Sequence, residues 1–178
     1  MAKQIKNTDE DRKKEILEAA LHCFLHFGYA KTSMDDVAKK AMLSRPLIYL
    51  KFKNKEDLLL GLYDDILGST TSESESILGL KISNKEKLMK LFQIMIIGPW
   101  DKISGYPMSQ EFYNTCDLMD PKTFQKYEKH KLKLATSILD DKAAAEVLVL
   151  ATEGLMMDLP TTAVLKKRIE ILVEKFTS

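Results

Sequence analysis

Four helix caps crowd into the first 55 residues of this sequence, and that crowding constrains the fold more than any other feature. Thr8 or Asp9, Ser33, Ser44 and Asn54 each carry a side-chain oxygen that can take up a free first-turn amide. Asp36, three residues after Ser33, adds a capping-box arrangement. Pro46 follows Ser44 closely, and a first turn tolerates proline because the amide it lacks would be unpaired there. Gly28 marks a helix end. Between these signals the apolar residues recur at three and four: Ile16, Leu17, Ala20, Leu21 and Phe24, then Val37 and Ala38, then Leu58, Leu59, Leu62, Tyr63 and Ile66. The spacing predicts helices over 9–27, 34–41 and 45–52, with a fourth from Lys55. Two short helices on a turn of a few residues, braced by a longer one, describe a helix-turn-helix unit. An ordinary three-helix bundle would carry the same pattern, and Met42 stands where such turns often place a glycine.

The rest of the chain also lacks sustained period-two alternation, so the fold class is all-α. The polar stretch Gly68–Ser76 predicts that the fourth helix frays or ends there. Asn84 is a candidate cap for a fifth, running to Ile97 and stopped by Gly98-Pro99, with irregular chain over 99–108. A short helix over 109–118, one from Asp120-Pro121 to about 139, and two near 142–158 and 162–176, split by Pro160, complete the expectation. A chain of 178 residues can bury a proper core. No apolar run is long enough to cross a bilayer, and the charged N-terminus lacks the apolar stretch of a signal peptide. Cys23 and Cys116 form neither a disulfide framework nor a zinc spacing, so a cytoplasmic protein is expected.

The net charge of +1 is unevenly spread, with twelve Lys and Arg against nine Asp and Glu in residues 1–60. Position says more than the total. Arg45, Lys51, Lys53 and Lys55 fall together with no acid until Glu56, which suits either a solvated face or a nucleic-acid contact. His22 and His26 lie one helical turn apart, a metal-binding spacing, but Cys23 points elsewhere on the helix and surface histidines are expected. No metal, no cofactor and no catalytic motif is implied, and an enzyme is not expected.

Over residues 12–59 the chain resembles the N-terminal module of the tetracycline-repressor (TetR) family of transcriptional regulators. The resemblance rests on Ile16-Leu17-x-Ala19-Ala20, Phe24, Gly28-Tyr29 and Thr32-Ser33-Met34-x-Asp36-Val37-Ala38. It continues through Ala41, Ser44-Arg45, Ile48-Tyr49, Phe52 and Lys55-x-x-x-Leu59, in order and without gaps. The resemblance implies a three-helix helix-turn-helix DNA-binding domain (1–53) and a larger helical domain (54–178) that dimerises and holds a ligand cavity. It implies a homodimer on double-stranded DNA at a palindromic operator, released by a small-molecule effector, with no membrane partner. Thr32 and Ser33 match the family's phosphate contact, Lys55 its phosphate lysine, and Tyr49 an aromatic residue whose hydroxyl reaches the backbone. Ser44, Arg45, Pro46 and Leu47 open the recognition helix, where Arg45 has the planar fork that grips guanine. Leu50-Lys51 departs from the family's usual aromatic pair. Lys51 offers phosphate a charged contact, and Leu50 an apolar one to a thymine methyl.

In the second domain Ala144, Val147, Leu148, Ala151, Gly154 and Leu155 share a helix face, and Leu165, Ile169, Leu172 and Phe176 share another. Both stripes suit a four-helix dimer interface, although part of each must be core. Candidates for an apolar or aromatic effector are Phe92, Met95, Trp100, Tyr106, Met108, Phe112, Tyr113, Cys116, Met119 and Met156. Plain core explains any one of them as well. The competing reading of the whole chain is a helical protein-interaction module without a DNA role.

Overall fold

The computed structural model describes residues 8–115 and 121–178, and for residues 121–124 the backbone alone. Among the described residues all regular structure is helical: α1 (Asp9–Phe27), α2 (Met34–Ala41), α3 (Arg45–Lys51), α4 (Lys55–Glu75) and a 3₁₀ turn (Ser76–Gly79). There follow α5 (Asn84–Phe92), a π-helical turn (Gln93–Ile97), α6 (Gly98–Ile103), α7 (Ser109–Asn114), α8 (Pro121–Leu139), α9 (Lys142–Gly154) and α10 (Thr162–Thr177). They form two compact units. The first runs to Asp65 and also takes in Tyr106–Thr115; the second holds Ile66–Gly105 and the chain from residue 116 on. The sequence suggested a division at 53/54, whereas the compact units part at Asp65–Ile66, inside α4.

In the first unit three of the four expected caps are in place. Thr8 closes a capping box with Asp11, and Ser33 one with Asp36. The Asn54 side chain accepts the Asp57 amide at 2.8 Å, which starts α4 at Lys55 as its residue types dictate. The core is the apolar stripes read from the sequence: Ile16, Leu17, Ala20 and Phe24 of α1, Val37 and Ala38 of α2, Ile48 of α3, and Leu58, Leu59 and Leu62 of α4. A Cβ on Gly61 would lie 2.6 Å from the Phe52 ring, so only glycine lets that ring close against α4. The segment around α7 is built into this core. Phe112 is buried with its ring 5.4 Å from Tyr63 and 6.4 Å from Phe24, and the Tyr63 hydroxyl donates to the Phe112 carbonyl at 3.1 Å. The Met108 amide donates to the Leu25 carbonyl at 3.0 Å.

The second unit packs α5, α8, α9 and α10 around Leu88, Leu91, Phe92, Leu134, Ala135, Ile138, Ala145, Leu148, Leu165, Ile169 and Val173. Four expectations are refined here. First, α4 does end within the polar stretch, at Glu75, but only after holding its helix through nearly all of it. Thr70 and Ser74 continue the buried stripe of Ile66, because each hydroxyl donates to a carbonyl one turn back (Leu67 at 2.6 Å, Thr71 at 2.9 Å). Second, Ser83 caps α5, not Asn84, in a box with Glu86. Third, Gly98-Pro99 does not stop the helix. The chain widens into the π turn, in which the Gly98 amide reaches back to the Gln93 carbonyl, and then continues as α6. Pro99 has no amide for the carbonyl of Met95, four residues back, and that carbonyl accepts the Tyr127 hydroxyl instead. Last, α9 ends at Gly154, short of 158, and the Arg168 guanidinium grips Asp158 (2.5 and 2.7 Å) and the Leu155 carbonyl in the connection that follows.

Candidate nucleic-acid interface

The turn between α2 and α3 sets the geometry of this surface. The Met42 amide bonds to the Lys39 carbonyl and the Leu43 amide to that of Ala38, the two closures of a Schellman end. Met42 itself occupies the left-handed position usually given to glycine, at φ 55° and ψ 35°, with its side chain 91% exposed. The glycine expected in such turns is absent, yet the backbone conformation it would adopt is kept.

α3 is a short helix held by one face. Ile48 and, just beyond the helix, Phe52 are buried one turn apart, and Leu47 is half-buried. Arg45 with Tyr49, and Pro46 with Leu50, are the corresponding one-turn pairs on the exposed side. Leu50 is 75% and Tyr49 46% exposed, a large apolar and aromatic surface for so short a helix. Ser44 stands at the N-cap but its side chain makes no capping bond, so its hydroxyl is not committed to the helix start. Arg45, the first residue of α3, is paired with Asp35 of α2, with Nε 2.6 Å from the carboxylate.

The residues expected on phosphates are more tightly engaged. The Thr32 hydroxyl is buried and donates to the Gly28 carbonyl (2.7 Å), with the Cys23 carbonyl 3.3 Å away, so this side chain ties down the end of α1. Ser33 is exposed, but its hydroxyl donates to Asp36 at 2.5 Å while accepting that residue's amide. Those hydrogen bonds hold the Asp36 carboxyl below its ordinary range. Lys51, expected to offer phosphate a charged contact, is ion-paired to Asp9 at the start of α1. Lys55 is half-buried: Nζ donates to the carbonyls of Tyr29 (2.7 Å) and Ala30 (3.3 Å) and sits 4.4 Å from the centre of the Tyr29 ring. An ammonium has three N–H bonds, so one remains for an anion. The amide of Ala30 in turn donates to Glu111 at 2.9 Å, so α7 braces the loop that holds Lys55.

Sequence reasoning passed over Asp35. Its only signal was position: a second acid in the first turn of α2 that the capping box does not use. His22 and His26, weighed as a metal pair, stack on each other at 4.0 Å, with no third ligand group among the described residues.

The expected effector residues divide between the units. Phe92, Met95 and Trp100 are buried in the second, where Met156 is half-buried; Phe112 is buried in the first, with Tyr106 exposed and Met108 and Tyr113 half-buried. Cys116 and Met119 lie outside the described residues. Of the interface candidates, Leu148, Leu165 and Ile169 are fully buried within the single chain and supply the core part that each stripe was expected to include. Val147 and Gly154 are exposed, and Ala151, Leu155, Leu172 and Phe176 half-buried. The sequence stripe missed Leu150, Val164 and Ile171, which are exposed on the outer sides of α9 and α10.

Residues 16–62, which hold this turn and both of its helices, match the model of the bacterial regulatory proteins of the tetR family. Over these residues the chain is similar to that family. A relative, the uncharacterized HTH-type transcriptional regulator YhgD of Bacillus subtilis, is 38% identical over 86 residues, which are 48% of this chain and 45% of that protein. The match thus spans less than half the length of that curated relative. Among solved structures, a TetR transcription regulator from Haloarcula marismortui superposes with a TM-score of 0.73 at 14% identity, covering 94% of this chain and 97% of the other. FadR from Bacillus subtilis in complex with stearoyl-CoA superposes at 0.65 with 22% identity, over 93% and 97% of the two chains. At those identities the likeness is one of fold, and it extends through both units. Among the described residues no helix is long and apolar enough to cross a membrane.

Proposed function

We propose that this chain is a TetR-family, sequence-specific DNA-binding transcriptional repressor, acting in the cytoplasm as a homodimer and released from a palindromic operator by a small apolar or aromatic effector. The observation that carries the reading is the outward side of α3. It offers a guanidinium, a phenol and a leucine from a helix anchored by Ile48 and Phe52, the mix of polar and apolar groups that base edges in a major groove present. Lys53, exposed beside it, and the remaining N–H of Lys55 supply charge for the phosphates on either side.

Support for the dimer comes from Val147, Leu150, Val164 and Ile171, large apolar side chains left exposed on α9 and α10. A second copy of the chain would bury them, and two α3 helices would then read two half-sites. The effector class rests on the aromatic and methionine content of the chain's interior and on the acyl ligand named for the FadR structure.

Selection of bound duplexes from a random DNA pool by the purified protein tests the reading. The expected outcome is an inverted repeat with half-site centres about 34–36 Å apart. Recovery of no enriched sequence would refute the DNA role and leave the protein-interaction module as the reading.

A further inference from the structure

We propose that Asp35 is a positioning residue for sequence readout: it holds the Arg45 guanidinium by its Nε edge and leaves the two terminal nitrogens to face a base. The inference rests on the DNA-binding reading of α3. Asp35 is the second residue of α2 and Arg45 the first of α3, so their pairing spans the Met42 turn and joins the two helices that such a unit sets against DNA. Asp36, its neighbour, closes the capping box with Ser33, so the start of α2 is capped without Asp35.

The chemistry of the pair favours readout over stability. Both side chains are substantially exposed, and exposed ion pairs contribute little to folding. A free arginine samples many rotamers, and fixing it on a base carries an entropic cost; a carboxylate already against Nε settles that cost before DNA arrives. Guanine presents two acceptors side by side on its major-groove edge, which two parallel N–H bonds from the terminal nitrogens match. The carboxylate also opposes phosphate, so it lowers attraction to DNA in general while favouring the one base pair that Arg45 reads. A residue that trades general affinity for selectivity is what a regulator searching a genome needs.

The test measures binding of the wild-type protein, Asp35→Asn, Arg45→Ala and the double variant to a panel of operators substituted singly at every base pair. Asp35→Ser, which suits a helix first turn, runs in parallel in case the asparagine variant fails to fold. Arg45→Ala identifies the base pair that Arg45 reads. The expected result is that Asp35→Asn weakens guanine preference at that same pair by about two- to tenfold, the cost of ordering one long side chain at binding. Affinity for non-operator DNA should be unchanged or higher, and the double variant should lose no more preference than Arg45→Ala alone. Loss of affinity spread evenly over all base pairs, or a preference unmoved by either Asp35 variant, would overturn the proposal while the DNA-binding reading stands. A wild-type protein without any base preference would overturn both.

Discussion

Gly28 offers the sharpest test of how the first unit is held together. Its backbone lies at φ 89° and ψ 150°, a region that residues with a Cβ scarcely enter, so Gly28→Ala carries roughly 1–3 kcal/mol of backbone strain. The added methyl would also lie 2.6 Å from the Glu111 carboxylate and 2.9 Å from the end of Met108. Both are flexible tips that can swing aside, so the overlap itself is cheap. For Glu111, however, moving means releasing the Ala30 amide, a further cost of about 1 kcal/mol. The sum is about 2–4 kcal/mol, which in a chain of this size lowers the melting temperature by about 4–16 °C. Thermal and urea denaturation of wild type, Gly28→Ala, Glu111→Ala and the double variant separate the contributions. Backbone strain should persist in both backgrounds, whereas the share that passes through Glu111, about 1 kcal/mol, should vanish once Glu111 is gone. A Gly28→Ala protein as stable as wild type would refute the need for a positive φ. An equal loss in both backgrounds would refute Glu111 as the displaced group.

The other expected outcomes concern the turn, the anion contacts and pH. Met42→Gly relieves a left-handed non-glycine residue whose side chain packs on little, and should raise stability by about 0.5–1 kcal/mol in urea titrations after the loss of unfolded-state restriction is counted. Lys55→Ala should weaken binding to every duplex alike and reduce the slope of log affinity against log salt by about one counterion; a loss confined to certain base pairs would remove Lys55 from the phosphates. Burial, then the charges of His26 and Lys40, hold the His22 imidazole below its ordinary 6.5, so the unfolded chain takes that proton more readily than the folded one. Stability tied to His22 is therefore full above pH 6.5, begins to fall as pH drops past it, and is gone below the lowered folded value. Melting curves between pH 8 and pH 5 should show a shallower decline for His22→Gln than for wild type, and parallel curves would dismiss the effect.

The first unit was legible because its signals are local. Thr8, Ser33 and Asn54 bond to amides within three residues of themselves, so residue type and spacing suffice to place them. Long-range partners were not legible. Nothing near Thr32 in sequence says that its hydroxyl turns inward to Gly28 and Cys23, and Lys51 reaches across to Asp9 only because α1 and α3 meet in the fold. In the second unit, counting apolar residues alone hides the buried stripe that hydroxyls complete at the end of α4. Thr70 and Ser74 are as interior as Ile66, because a hydroxyl can satisfy itself on its own helix. Pro99 misled in the same way, since the partner that makes it tolerable, the Tyr127 hydroxyl, lies far along the chain. Leu148, Leu165 and Ile169 share helices with Val147 and Ile171, and which side meets core is decided by neighbours that a stripe of letters does not name.

The seat of Phe112 between Phe24 and Tyr63 bears on how parts could be exchanged between related chains. A first unit exchanged by one crossover after Asp65 would bring new partners for that ring while leaving behind the α7 segment packed against the old ones. The Tyr63 hydroxyl would lose the Phe112 carbonyl, and the loop carrying Lys55 would lose its brace at Glu111. A graft that keeps its footing therefore needs two junctions, one in α4 and a second around residues 106–115. In this chain the first unit is contiguous in space but is drawn from two separate stretches of sequence.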